Sequence, residues 1–239
     1  MPKETELLSQ EVITKEVTSV SDSEISEFKT HCTEKDGWTL SKSLSNCDVL
    51  FTTTSNSYNI ALRVECRDTF KSIPPEVLWE IITKSEHFKE WDTHMIDYAV
   101  IGSLDSRTQV TYYSVATPFP LWYRDWTLRR CEDVNSETGE FVAFSSSVEI
   151  SERPPRNKFV RANCIMTGFY IRRSKDGLGS EVTYYAHNDF AGYIPVSIVN
   201  FTAKSITHSV IDALYKASVK LMEKRKKVAE SEVGNVAKA

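Results

Sequence analysis

Arg130 closes the run PFPLWYRDWTLRR, residues 118 to 130, and of all the charged side chains it most needs a partner. Side chains alternate along a strand, so Trp126, Leu128 and Arg130 share one face while Asp125, Thr127 and Arg129 share the other. A guanidinium keeps its charge in a protein, and one placed beside Trp and Leu has to be neutralised. His187 and Asp189, at i and i+2 of another strand, are the histidine and carboxylate best spaced for acid–base chemistry. The remaining histidines, His31, His87, His94 and His208, are scattered, and G-x-S-x-G, H-E-x-x-H and P-loop patterns are absent. A shared face does not make a nucleophile, so the expectation is a protein without catalysis.

Cys32, Cys47, Cys66, Cys131 and Cys164 are odd in number and never spaced C-x-x-C, so they read as reduced thiols, with no disulfide framework, metal site or cofactor implied. No apolar run approaches the ~20 residues that span a bilayer, and the opening residues lack a signal-peptide core. A cytoplasmic protein is expected. Residues 1–36 hold four lysines against nine acids within an overall charge of −4, so the body is near neutral. Phosphate backbones bind net basic faces, which argues against a nucleic-acid partner.

These residues need a scaffold. Ser21 or Asp22 caps a short amphipathic helix carrying Ile25 and Phe28. WTLSKS, DVLFTTT and YNIALRVECR read as three antiparallel strands. SIPPEVLWEIITKS then reads as a helix opened by Pro74 and Pro75, with Val77, Leu78, Ile81 and Ile82 as its apolar stripe. Further strands are expected at 95–102, 108–117, 124–134, 140–150, 158–173 and 180–190, joined by turns rich in Gly, Asp, Asn and Ser. From Pro195 to about Lys227, Val199, Ala203, Ile206, Val210, Leu214, Ala217 and Leu221 recur at helical spacing. The basic cluster Lys220 and Lys224–Lys227 at its end suits either a solvated last turn or contact with anionic lipid. The fold class is α+β: a curved antiparallel sheet of about nine strands wrapped around a long C-terminal helix, a helix-grip, with short N-terminal and crossover helices. One domain is expected over 21–227, between a disordered acidic leader at 1–20 and a disordered tail at 228–239.

Three motifs in order resemble one family. Trp91–Asp92, PFPLWYRDW at 118–126 and HNDFAGYIPVSIVN at 187–200 are similar to the patterns of the START lipid-transfer domain, over about Trp38 to Lys227, and most similar to its phosphatidylcholine-transfer branch. The resemblance implies one lipid held in a cavity between sheet and last helix, with Arg130 looking into it. Sterol-type members pair such an arginine with an acid on the strand before P-F-P, and residues 106–117 contain none. A lipid phosphate is then the expected partner. Exposure at a strand end, or pairing with a distant acid such as Asp189, stays open.

The lining expected from the resemblance is Tyr112, Trp126, Leu128, Tyr184, Phe190, Val199, Phe201 and Ala203, each also explicable as core packing. Tyr112, Trp126 and Tyr184 are read as inward by alternation and suited to holding a choline head through their π faces. Phe119, Leu121 and Trp122 sit on a loop expected at the cavity mouth, dipping into a membrane interface while the turn at Gly192 moves. The family's D-P-G-G is here Asp189-Phe190-Ala191-Gly192, so the turn keeps one glycine. The expected function is non-enzymatic lipid binding and intermembrane transfer of a phospholipid such as phosphatidylcholine, by a monomer in transient contact with membranes. A sterol or other hydrophobic ligand is the alternative, and a cyclase or hydrolase using His187 comes after it.

Overall fold

Each face of this sheet carries its own apolar set, and helices cover both. The computed structural model describes residues 5–43, 47–53, 60–66, 68–117, 121–192, 194 and 196–236, with 42, 53, 60, 196–208 and 232–236 described as backbone. Among these the order is α1 (Gln10–Glu16), α2 (Asp22–Thr33), β1 (Thr39–Ser43), β2 (Cys47–Thr53), β3 (Ile60–Cys66), α3 (Pro75–Thr83), α4 (Ser85–Trp91), β4 (Met95–Ser103), β5 (Thr108–Val115), β6 (Tyr123–Asn135), β7 (Glu140–Ser147), β8 (Phe159–Arg161), β9 (Asn163–Arg173), β10 (Ser180–Asp189) and α5 (Val196–Val236). The strands form one sheet in the order β1-β2-β3-β10-β9-β7-β6-β5-β4, with β8 added parallel to β6. The helices α3 and α4 carry the chain from β3 to β4 at the far edge.

On the inner face Phe141, Ala143, Phe169, Ile171 and Val182 pack with Val77, Leu78, Ile81 and Ile82 of α3 and with Ile211, Leu214 and Ala217 of α5. Pro75 opens α3, where a missing N–H costs nothing because no intrahelical acceptor exists for it. On the outer face Val142, Phe144, Tyr170 and Tyr185 pack under Ile25, Phe28 and Cys32 of α2. Phe28 stacks on Phe144 at 4.8 Å. A capping box between Ser21 and Glu24 starts α2, Arg129 holds Glu24, and Lys29 Nζ lies 2.8 Å from Glu140.

Three expectations are corrected. Residues 5–20 are not a disordered leader: Leu8, Ile13 and Val17 are buried against Ile101, Val110 and Ile150, and the Leu8 N–H donates to the Ile101 carbonyl at 2.8 Å. A seven-residue helix such as α1 has little stability alone, so its formation reflects this docking rather than local propensity. The C-terminal helix runs through Val236, so 228–236 are not a disordered tail. The segment 158–173 is two strands, β8 and β9, interrupted at Ala162.

Candidate functional site

Strands β5 and β6 set the site through their register. Tyr113 pairs with Trp126, Thr111 with Leu128 and Gln109 with Arg130, and directly opposed residues share a face. The inner face therefore carries Thr111, Tyr113, Trp126, Leu128 and Arg130. Tyr112 pairs with Thr127 and points the other way, where its ring packs with Ile13 and its hydroxyl donates to Asp125 at 3.3 Å. Its placement among the inward residues is corrected: adjacent tyrosines occupy opposite faces, and the inward one is Tyr113.

Two more strands complete the surface. On β10 Tyr184 faces inward, its ring 4.8 Å from that of Phe169. An irregularity in β9 opposite His187 and Asn188 shifts the alternation, so Cys164 and Ala162 turn inward beside Trp126 and Leu128. Phe190, at the end of β10, meets the Trp126 ring edge-on at 6.2 Å. Val199, Phe201 and Ala203 belong to α5, but their side chains lie outside the described residues, as does Phe119 altogether.

Asp92 is the acid of this surface. It caps the C-terminus of α4, accepts a hydrogen bond from the Tyr113 hydroxyl, and receives the backbone N–H groups of His94 and Met95. Burial pushes its carboxyl above the ordinary value in spite of those bonds. Burial, with the Asp92 charge behind it, raises the phenols of Tyr113 and Tyr184. Trp126 Nε1 and Thr111 Oγ1 are buried on the same face with no hydrogen-bond partner among the described residues. Buried polar atoms are nearly always paired, so among the described residues these two have hydrogen-bonding capacity left over.

Arg130 does not share that surplus. Its Nε lies 2.7 Å from Glu132 Oε1, its Nη2 donates to the Ile82 carbonyl at 2.6 Å, and its guanidinium stands 5.7 Å from the centre of the Phe88 ring. The carboxylate missing from 106–117 is supplied by Glu132, two residues along the same face. Arg130 joins β6 to the junction of α3 and α4, and its charge does not require a phosphate.

The other arginine of the motif has a different place. Arg124 is 3% exposed, and it donates from Nε to the Phe190 carbonyl at 2.9 Å, from Nη2 to the Ala191 carbonyl at 3.1 Å, and from Nη1 to the Trp122 carbonyl. It thus ties the loop before β6 to the turn before α5. Burial lowers its pKa, and no carboxylate meets it among the described residues. Within that turn Gly192 has φ +73° and Ala191 φ +50°, so an alanine occupies a left-handed conformation that favours glycine. Thr117 fixes the other side by donating to the Trp122 carbonyl at 2.7 Å. Leu121 is half-buried, whereas Trp122 is 62% exposed.

His187 lies apart. It pairs with Ala61, on the α2 side of the sheet, where burial and then nearby His31 lower its pKa. Asp189 accepts the Ala191 N–H at 2.9 Å instead of meeting this imidazole. Asp92, Tyr113, Thr111 and Arg124 are the residues of the site that reading the sequence missed. The signal for Asp92 was present in the Trp91–Asp92 motif, whereas Tyr113 and Thr111 follow only from the pairing of β5 with β6.

Comparison with known proteins gives a consistent picture. The START domain family model matches residues 20–224. START domain-containing protein 10 of Mus musculus is 30% identical over 210 residues, covering 86% of this chain and 69% of that protein. Phosphatidylcholine transfer protein of Rattus norvegicus is 26% identical over 150 residues, 62% of this chain and 68% of that protein. The crystal structure of human STARD10 superposes with a TM-score of 0.78 at 27% identity, over 90% of this chain and 86% of that one. Human StAR-related lipid transfer protein 5 shares the fold, with a TM-score of 0.76 at 17% identity over 84% of this chain and 95% of that one. The sheet order, the inward aromatic surface and these matches agree, and the chain belongs to the START domain family.

Proposed function

We propose that the chain holds one lipid between the inner face of its sheet and α5 and carries it between membranes, and that the lipid is a phospholipid with a choline head. The observation that carries this reading is the half-buried carboxylate of Asp92 among Tyr113, Tyr184 and Trp126. A quaternary ammonium has no N–H to donate, so it is recognised by π faces and a negative charge, which these residues supply. A cation beside Asp92 would also reverse the rise in its pKa that burial causes. The similarity to a phosphatidylcholine transfer protein supports the same choice of lipid.

Transfer needs a mouth and a membrane contact. Trp122 is exposed next to the loop and turn that Arg124 joins, and an exposed indole suits an interface between water and lipid. No helix among the described residues is long and apolar enough to cross a membrane. The protein acts as a monomer that touches membranes from the cytoplasm, without a chemical step. Two acyl chains with about thirty methylenes gain ~24 kcal/mol on leaving water, at ~0.8 kcal/mol each. A bilayer provides nearly the same, so the carrier has only to match the membrane.

The test is to purify the protein from cells, record native mass spectra and identify the extracted lipid. Phosphatidylcholine is expected, with Asp92→Asn reducing the preference for choline over ethanolamine heads in a vesicle transfer assay. A sterol in place of a phospholipid would overturn the reading.

A further inference from the structure

We propose that Cys47 and Cys66 form a site of reversible oxidation that closes to a cross-strand disulfide. The antiparallel register of β2 and β3 sets Cys47 directly opposite Cys66. Opposed residues on antiparallel strands have Cα atoms about 4.5 or 5.5 Å apart, and both separations fall within the ~4.4–6.8 Å that a disulfide spans. Both side chains lie on the inner face among Val49, Val64 and Phe70. The two thiols are close enough to share a hydrogen bond.

That hydrogen bond divides the labour between the two sulfurs. It favours the thiolate at Cys47, whose pKa is lowered, and holds Cys66 as a thiol, whose pKa is raised by the same bond and by burial. Both residues are buried, Cys47 slightly less than Cys66. The other cysteines have no such arrangement. Cys32 and Cys131 pack on the outer face and Cys164 beside Trp126, and burial raises all three thiols, Cys131 and Cys164 up to about 12.

With hydrogen peroxide as oxidant, the Cys47 thiolate attacks one peroxide oxygen, the O–O bond breaks, and a sulfenic acid forms while the other oxygen leaves as water after taking a proton. The Cys66 sulfur then attacks the Cys47 sulfur, the S–O bond breaks, and the Cys66 proton leaves with the oxygen as a second water. Two thiols are oxidised by two electrons to one disulfide, and one peroxide is reduced to two waters. The bond would fix the end of β3 from which the chain passes to Phe70, whose ring lies 6.2 Å from that of Tyr215 on α5. Oxidation would therefore brace the sheet where α5 rests on it.

The full chain is treated with hydrogen peroxide, its remaining thiols are alkylated after unfolding, and it is digested without reduction for mass spectrometry. The expected product is a peptide pair joining Cys47 to Cys66, lighter by two hydrogens, with Cys32, Cys131 and Cys164 alkylated and the link removed by dithiothreitol. The oxidised protein should also melt at a higher temperature than the reduced one, and Cys66→Ser should abolish that difference. Recovery of Cys47 and Cys66 as separate alkylated or sulfonic forms, links through other cysteines, or an unchanged melting difference in Cys66→Ser would each overturn the proposal.

Discussion

Glu132 settles at residue scale what Arg130 does. The pair is mostly shielded, with side chains 16% and 22% exposed, and the guanidinium also holds the Ile82 carbonyl. Replacing Glu132 by Gln leaves a shielded cation with a weaker partner, a loss expected to cost about 1–3 kcal/mol. The midpoint of urea unfolding should fall accordingly while the choice of lipid head stays unchanged, because Arg130 serves the α3–α4 junction and the head is proposed to lie at Asp92. A changed head preference in Glu132→Gln would return Arg130 to the ligand. This pair was legible: residues i and i+2 on a strand share a face, and Glu132 stands two places after Arg130. Looking to the preceding strand and to distant acids such as Asp189 passed over it. The inward tyrosine was harder to read, because YY at 112–113 satisfies either parity and only the pairing of Tyr113 with Trp126 decides between them.

At the scale of elements, α2, α3 and α5 announce themselves by their apolar stripes, whereas α1 does not. Its buried Leu8, Ile13 and Val17 are separated by charged residues and gain their helix from the Ile101 and Val110 surface, a long-range contact that local pattern does not contain. The break in β9 is likewise invisible, since a bulge depends on the partner strand. How firmly α2 is held can be tested with acid. Burial alone would raise the Glu140 carboxyl, but hydrogen bonds from Lys29, Tyr170 and Thr138 outweigh it and bring the pKa down from 4.5 to about 2. A carboxyl lowered in the folded state adds stability that is complete above its ordinary value and is lost as pH falls through the folded one. Between pH 4.5 and about 2 the Lys29 link should weaken, and amide exchange over 22–33 should quicken relative to β9. In Glu140→Gln that part of the acid response should be missing.

At the scale of the whole molecule the inner face divides into two parts with different duties. One part is filled by the chain itself: Leu214, with no exposed surface, belongs to the cluster shared with α3, β7 and β9, and Leu214→Ala should cost about 2–5 kcal/mol through lost burial and the cavity left behind. The other part carries Trp126, Tyr113, Thr111 and Asp92, and Arg124 binds its two flanking segments together. Stability and the proposed carriage can thus be tested at different positions, and Trp122 gives the sharper test. Its indole is 62% exposed and its own carbonyl, not its ring, engages Thr117 and Arg124, so a side-chain change leaves those ties intact. Trp122→Glu should alter the unfolding free energy by no more than about 0.5 kcal/mol, as expected for an exposed site. It should slow transfer of phosphatidylcholine between vesicles severalfold, since an acid at the interface loses the indole's contact and is repelled by anionic lipid. Measured together, unchanged melting with slowed transfer places the membrane contact at the mouth. Equal transfer rates for Trp122→Glu and the parent chain would mean that lipid enters elsewhere.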